Sequence, residues 1–112
     1  MRELTDREKR WVEETFSRMD LKAKIGQLLM PYLSPGNAAP FTIGQMCRRY
    51  AIEGGHMFRG TAATRRALAR EVWENCAIPP LLSGDLESGA GDCTSEATHF
   101  VSQMAVGAAG DE

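Results

Sequence analysis

Asp85 and Glu87 are the side chains with the most evident chemical use, because they stand at and just past the end of Leu81-Leu82-Ser83-Gly84-Asp85, which reads as a strand. A carboxylate just past a strand tip stands where parallel α/β sheets carry their chemistry. Arg59 follows a second strand candidate, His56-Met57-Phe58, and is read from its surroundings as a partner in a structural ion pair. His56, set between Gly55 and Met57, is expected to be a satisfied core or surface histidine, and His99, in a polar loop, a solvent-exposed one. Neither has a second histidine or cysteine at ligand spacing, so no metal and no cofactor is expected. Cys47, Cys76 and Cys93 are odd in number, scattered and without a CxxC pair. They indicate neither a disulfide framework nor a zinc knuckle, and a reducing compartment is the preferred reading. Cys93 would be reactive only if exposed, and no basic sequence neighbour lowers its pKa. The pairs Arg48-Arg49 and Arg65-Arg66 read as solvated helix faces.

The elements that must position these groups follow from caps, breakers and periodicity. Thr5 and Glu8 form a capping-box pattern ahead of an amphipathic helix whose apolar face is Trp11, Val12, Phe16 and Met19. Asp20 caps a short helix, Leu21 to Ile25, which Gly26 is expected to end. Leu28-Leu29-Met30, continuing to Leu33, suits a buried strand, with a helix end as the alternative, and Ser34 to Pro40 is a loop by its turn residues. Thr42 caps a helix carrying Ile43, Met46, Cys47 and Tyr50 on one face, and Gly54-Gly55 is expected to stop it. Gly60-Thr61 opens the next helix, with the stripe Leu68, Ala69, Val72, Trp73 and Cys76. Pro79-Pro80 forbids its continuation. A Ser-, Gly- and Thr-rich stretch then runs to His99, and Phe100, Met104 and Ala108 return to helical spacing. Trp11, Phe16 and Trp73 lie on apolar stripes and are expected in the core. The alternation implies parallel strands joined by helical crossovers.

The bulk composition narrows the partners. The chain has 112 residues, 43% hydrophobic and 25% charged, with 13 basic against 15 acidic side chains. That near-balance gives no basic face for nucleic acid. No apolar run approaches the roughly 20 residues that span a bilayer, so no membrane partner is expected. The polar start, Met1 to Asp6, lacks a secretory signal pattern, and a cytoplasmic location is expected.

Four segments in order resemble one family. Met19 to Met30 resembles the "MTLEEKIGQLLM" opening of family 3 glycoside hydrolases, which include β-glucosidases and β-N-acetylhexosaminidases. Gly54-Gly55-His56-Met57-Phe58-Arg59-Gly60 is similar to that family's "GGxIxFRG", and Ile78 to Gly89 to its "IPLLISADxEGG". The tail from Phe100 through Met104-Ala105-Val106-Gly107-Ala108 to Asp111 is similar to "FPxxMALGAxxD". The resemblance covers nearly everything from Arg10 onward. It implies a partial TIM barrel: about three β/α units with an extra N-terminal helix, where a closed barrel takes roughly 250 residues and eight strands. It also implies a β-linked carbohydrate substrate and a binding set of Asp85, Glu87 and Arg59. Asp85 would accept hydrogen bonds from sugar hydroxyls, Glu87 would support the turn, and Arg59 would lie near the pocket. Departures gather in one loop: Ser88 replaces a family glycine, Cys93 an arginine and Val101 a proline.

Catalysis is expected to be missing. A retaining glycosidase needs two carboxyl groups about 5–5.5 Å apart. Asp85 and Glu87 at i, i+2 look like such a dyad, but the family draws its nucleophile from a later strand and its acid/base from later still. Nothing in the 112 residues matches either motif. The expectation is a fragment, truncated product or degenerate paralogue of a β-glycosidase, inactive alone and with no catalytic residue of its own. The rival expectation is a small non-catalytic α/β module binding a protein through its open sheet edge. Such edges also invite self-association.

Overall fold

The computed structural model describes residues 2–33 and 42–110. The loop expected at residues 34–40 and the family-like Asp111 fall outside them. Helix α1 (Asp6–Arg18) and helix α2 (Leu21–Gly26) lead into strand β1 (Tyr32–Leu33). Helix α3 (Ile43–Tyr50), strand β2 (Gly54–Met57), helix α4 (Ala62–Asn75) and strand β3 (Leu81–Ser83) follow. A single 3₁₀ turn (Ala90–Asp92) and helix α5 (Gln103–Ala109) complete the order. The three strands form one parallel sheet in the order β1-β2-β3. Two β–α–β crossovers are thus present among the described residues, as the alternation of sequence signals predicts.

Local signals account for most helix starts. Thr5 Oγ1 accepts from the Glu8 N–H while the Glu8 carboxylate accepts from the Thr5 N–H, a full capping box. Asp20, Thr42, Thr61 and Ser102 each cap the helix that follows them. The expected strand at Leu28–Met30 is a correction: these residues continue the turn that closes α2, through Leu28 N–H to Ile25 O and Leu29 N–H to Gly26 O. Pairing starts only at Pro31, whose carbonyl accepts from His56 N–H at 2.9 Å.

Gly54 and Gly55 do not stop α3. That helix ends at Tyr50, with Ala51 in the left-handed region (φ 52°). The two glycines instead open β2, where neighbours come too close for a side chain. A Cβ on Gly54 would meet the Leu81 carbonyl oxygen at 2.5 Å, and one on Gly55 would meet the Leu33 side chain at 2.4 Å.

The core lies between the sheet and helices α3 and α4. Leu33, Cys47, Met57, Leu68 and Val72 are buried together there, with Ile43, Met46, Ala69, Cys76 and Leu82 packed around them. Glu71 ties the two helices by accepting from Gly44 N–H at 2.9 Å. All three cysteines are free. Burial pushes the Cys47 and Cys76 thiols up, so both stay protonated near neutral pH. The expected burial of Trp11, Phe16 and Trp73 is overturned: they are 53%, 59% and 61% exposed. Their stripes exist, but among the described residues no element covers them. Phe16 instead lies under the Lys24 ammonium, 4.1 Å from its ring centre. Helix α5 also forms with no buried residue, and Phe100 and Met104 stay exposed. Among the described residues no helix is long and apolar enough to cross a membrane.

The capping box has a pH signature. Glu8 pairs with the Arg2 guanidinium, which lowers its carboxyl from 4.5 to about 2, helped by the Thr5 N–H and hydroxyl. A depressed folded-state pKa stabilises above the unfolded value and loses that support as pH falls. The start of α1 is therefore expected to fray between about pH 4.5 and pH 2, read by NMR amide shifts of residues 5–9. Arg2→Gln should move that fraying to higher pH, and salt should weaken it, because the pair is exposed.

Candidate functional site

The parallel register lines up one row across the sheet. Tyr32 is opposite His56, and His56 is opposite Ser83. By the two-residue period of strands these three share a face, while Leu33 and Met57, the next row, point to the helical core. The Tyr32 and His56 rings meet edge to face at 5.0 Å, and Tyr32 meets Phe58 likewise at 5.9 Å. The His56 Nδ1 lies 3.0 Å from Ser83 Oγ, so β2 and β3 are joined by side chains as well as backbone.

The chain emerging from the strand tips closes a cleft of about 320 Å³. Asp85, Glu87 and Arg59 all line it, together with His56, Met57, Phe58, Asp92 and Cys93. The three residues singled out in the sequence are thus brought together. Asp85 lies outside any helix, two residues past the end of β3, and its side chain is 62% exposed. Its carboxylate approaches His56 Nε2 at 3.5 Å. Glu87 is exposed in the turn that Gly89 N–H to Leu86 O closes. The bond found for Arg59 is not the expected ion pair: its Nε donates to the Asp92 carbonyl at 3.2 Å.

The loop from Gly84 to His99 is built by groups that local patterns do not flag. Asp92 is largely buried, accepts from the Ser88 N–H and pairs with His99 Nε2 at 2.9 Å. His99 is solvent-exposed as expected, but it is not without a partner. Arg65 is not a solvated helix charge either. Its guanidinium donates to the carbonyls of Met57, Phe58 and Cys93, binding the β2 tip to the returning loop. Gly60 and Thr94 add a parallel bridge, with Gly60 N–H to Cys93 O at 3.0 Å and Ser95 N–H to Gly60 O at 3.1 Å. Glu96 accepts from Ala62 N–H at the start of α4, and that bond holds its carboxyl below the usual range. Cys93 is buried, and its thiol donates to the Asp85 carbonyl at 2.7 Å, so it anchors the candidate ligand's backbone and is closed to reagents. Gly84 permits this: a Cβ there would stand 3.0 Å from Cys93 Sγ. Asp92 directly follows Gly91, and nothing in the local pattern singles it out. The roles of His56 and Arg65 depend on strand register and loop return.

A larger cleft of about 630 Å³ lies at the other end of the sheet. Trp11, Met19, Ala51, Glu53, Ile78 and Pro79 are among its walls. Its central carboxylate is already used: Glu53 accepts from the N–H groups of Ala77 and Ile78, fixing the approach to β3. Glu53 and Pro79 precede their strands, the end of a parallel sheet that serves stability rather than chemistry. The smaller cleft is the better candidate. Among the described residues no group of three or more His, Cys, Asp or Glu side chains could hold a metal ion.

No protein-family model matches the chain, and no solved structure matches it. Over 102 residues it is 34% identical to a β-N-acetylglucosaminidase/β-glucosidase of Cellulomonas fimi, a match covering 89% of the chain. The chain spans 17% of that protein's length. The similarity supports a glycosidase family.

Proposed function

We propose that these residues form the first β/α units of a family 3 glycoside hydrolase barrel, a retaining β-glycosidase, and carry part of its sugar-binding pocket. The observation that carries this reading is the convergence of Asp85, Glu87 and Arg59 on one cleft at the carboxyl ends of parallel strands. The likeness to a protein named as a β-N-acetylglucosaminidase/β-glucosidase supports it. So does the sheet itself, whose face opposite α3 and α4 carries Tyr32, His56 and Ser83, as a barrel interior would.

In this reading the Asp85 carboxylate accepts hydrogen bonds from two neighbouring sugar hydroxyls. Its side chain is mostly exposed and lines the cleft. Charge-assisted bonds of this kind are the strong ones, and a pair of them fixes a sugar ring in orientation as well as place. Arg59, its Nε engaged with the Asp92 carbonyl, and Glu87 line the same cleft. The nucleophile and the acid/base are assigned to no residue of this chain. Bond cleavage belongs to the longer protein, and the 112 residues alone bind without cleaving.

Two measurements test this. Titrated with N-acetylglucosamine or glucose, the chain should show NMR shifts at Arg59, Asp85 and Glu87; none up to high millimolar sugar would defeat the reading. Offered an aryl β-glycoside, the chain should give no turnover above background, and turnover abolished by Asp85→Asn would mean that Asp85 and Glu87 are a working dyad after all. A second reading, a non-catalytic module, is favoured by one feature: among the described residues β1 and β3 each pair on one side only. A strand-like partner would protect backbone amides along Tyr32 or Leu81, whereas a sugar perturbs the strand tips.

A further inference from the structure

The candidate pocket holds a side chain that the sugar-binding set does not use. His56 is fixed on two sides, by Ser83 Oγ at Nδ1 and by the edge contact with Tyr32. Its side chain is only 19% exposed. Its Nε2 is shielded from solvent and has no hydrogen-bond partner. Such a group is uncommon, because a shielded polar atom without a partner is unfavourable. The nearest candidate partner is Asp85 Oδ2 at 3.5 Å, just beyond hydrogen-bond length. The two differ in their restraints: the imidazole is held by Ser83 and Tyr32, whereas the carboxylate is largely exposed. Of the other charged groups of the cleft, Glu87 is exposed in its turn and two are engaged elsewhere. Asp92 binds Ser88 N–H and His99, and Arg59 binds the Asp92 carbonyl.

We propose that His56 is a positioning residue for Asp85: its Nε2–H donates to Oδ2 and turns the carboxylate so that Oδ1 faces the cleft. This rests on the reading of Asp85 as the sugar-gripping group and names what sets its orientation. The chemistry of the ring favours a proton on Nε2. When the Ser83 hydroxyl donates to Nδ1, the neutral ring carries its proton on Nε2. When the Ser83 hydroxyl donates instead to Met30 Sδ, 3.1 Å away, its oxygen accepts from Nδ1–H. In that case the neutral ring would set an Nε2 lone pair against the carboxylate, an unfavourable arrangement. The first arrangement is therefore favoured, and in it an N–H points at Asp85. Tyr32, His56, Ser83 and Asp85 thus form one chain of contacts across the sheet, from β1 to the residue that meets the ligand.

The test has two arms with separate meanings. In the ¹⁵N-labelled 112-residue chain, long-range imidazole correlations should place the ring proton of His56 on Nε2. The downfield Nε2–H signal should vanish in Asp85→Ala and weaken in Asp85→Asn, which keeps one acceptor; both are exposed substitutions that leave the fold intact. A proton found on Nδ1 alone, or an Nε2–H signal indifferent to both substitutions, would overturn the proposal whatever the sugar does. In the second arm N-acetylglucosamine is the probe. His56→Phe, which keeps the ring against Tyr32, should weaken its binding about tenfold in the parent chain and not at all in the Asp85→Ala background, the mark of coupled residues. His56→Gln, which keeps an N–H, should recover part of the loss. Equal weakening in both backgrounds would make His56 an independent contact and defeat the positioning role. If N-acetylglucosamine binds nowhere on the parent chain, the sugar-binding reading fails, and the ring-proton arm alone decides whether His56 holds Asp85.

Discussion

Asp85→Asn is expected to lower kcat/KM by about 100- to 1,000-fold in a glycosidase-active form of the protein, with no change in thermal stability. The two halves of that expectation have different causes. The carboxylate would meet two sugar hydroxyls, and hydrogen bonds to a charged group contribute about 1.5–3 kcal/mol each. The amide keeps one acceptor, loses the charge and turns a donor toward hydroxyl protons. A loss of about 3–4 kcal/mol corresponds to the stated range. The fold does not depend on the same group, because the Asp85 side chain is mostly exposed and its backbone is held by the Cys93 thiol. Steady-state kinetics beside a melting curve separates the two. A near-normal kcat/KM would remove Asp85 from the site, and a lowered melting temperature would make it structural.

The second large effect concerns stability. Gly26→Ala is expected to destabilise the chain by about 3 kcal/mol, near the upper end of overpacking penalties. The added methyl would stand 2.0 Å from the Ala51 carbonyl oxygen and 2.8 Å from that of Tyr50. Both are backbone atoms at the end of α3, so no rotamer change relieves the clash, and α2 must separate from α3. Gly107→Ala in α5 is the matched control. Nothing lies within 4 Å of its added methyl, and alanine is the better helix former by about 1 kcal/mol. Chemical denaturation of the two variants should move the midpoint in opposite directions. A mild effect at Gly26 would mean that the α2–α3 contact gives way easily.

These glycines show where sequence reasoning stops. Gly26 reads as a helix terminator, and α2 does end there, but its Cβ-less position is required by the backbone of α3 and not by a left-handed turn. Gly54 and Gly55 read as a helix stop and instead begin a strand, because Leu81 and Leu33 press against them. Both pairs of facts involve residues 20 to 30 positions apart, which no local pattern encodes. Trp11, Phe16 and Trp73 make the complementary point. Periodicity tells which side of a helix is apolar, but whether that side is covered depends on what else packs there.

What the sequence determined by itself is local chemistry. Thr5, Asp20, Thr42 and Thr61 start helices because their side-chain oxygens satisfy backbone N–H groups three residues on. Pro79 and Pro80 forbid a helix from running on toward β3, although α4 already ends at Asn75, and the alternation implies parallel strands with Asp85 just past a strand tip. What only the tertiary structure decided is who stands beside whom. Parallel register set His56 between Tyr32 and Ser83, and the returning loop brought Cys93, Asp92 and Arg65 to the strand ends. The reason is physical: a cap acts within one turn of chain, whereas a pocket is made by strands and loops that meet only after the core between the sheet and its helices has closed.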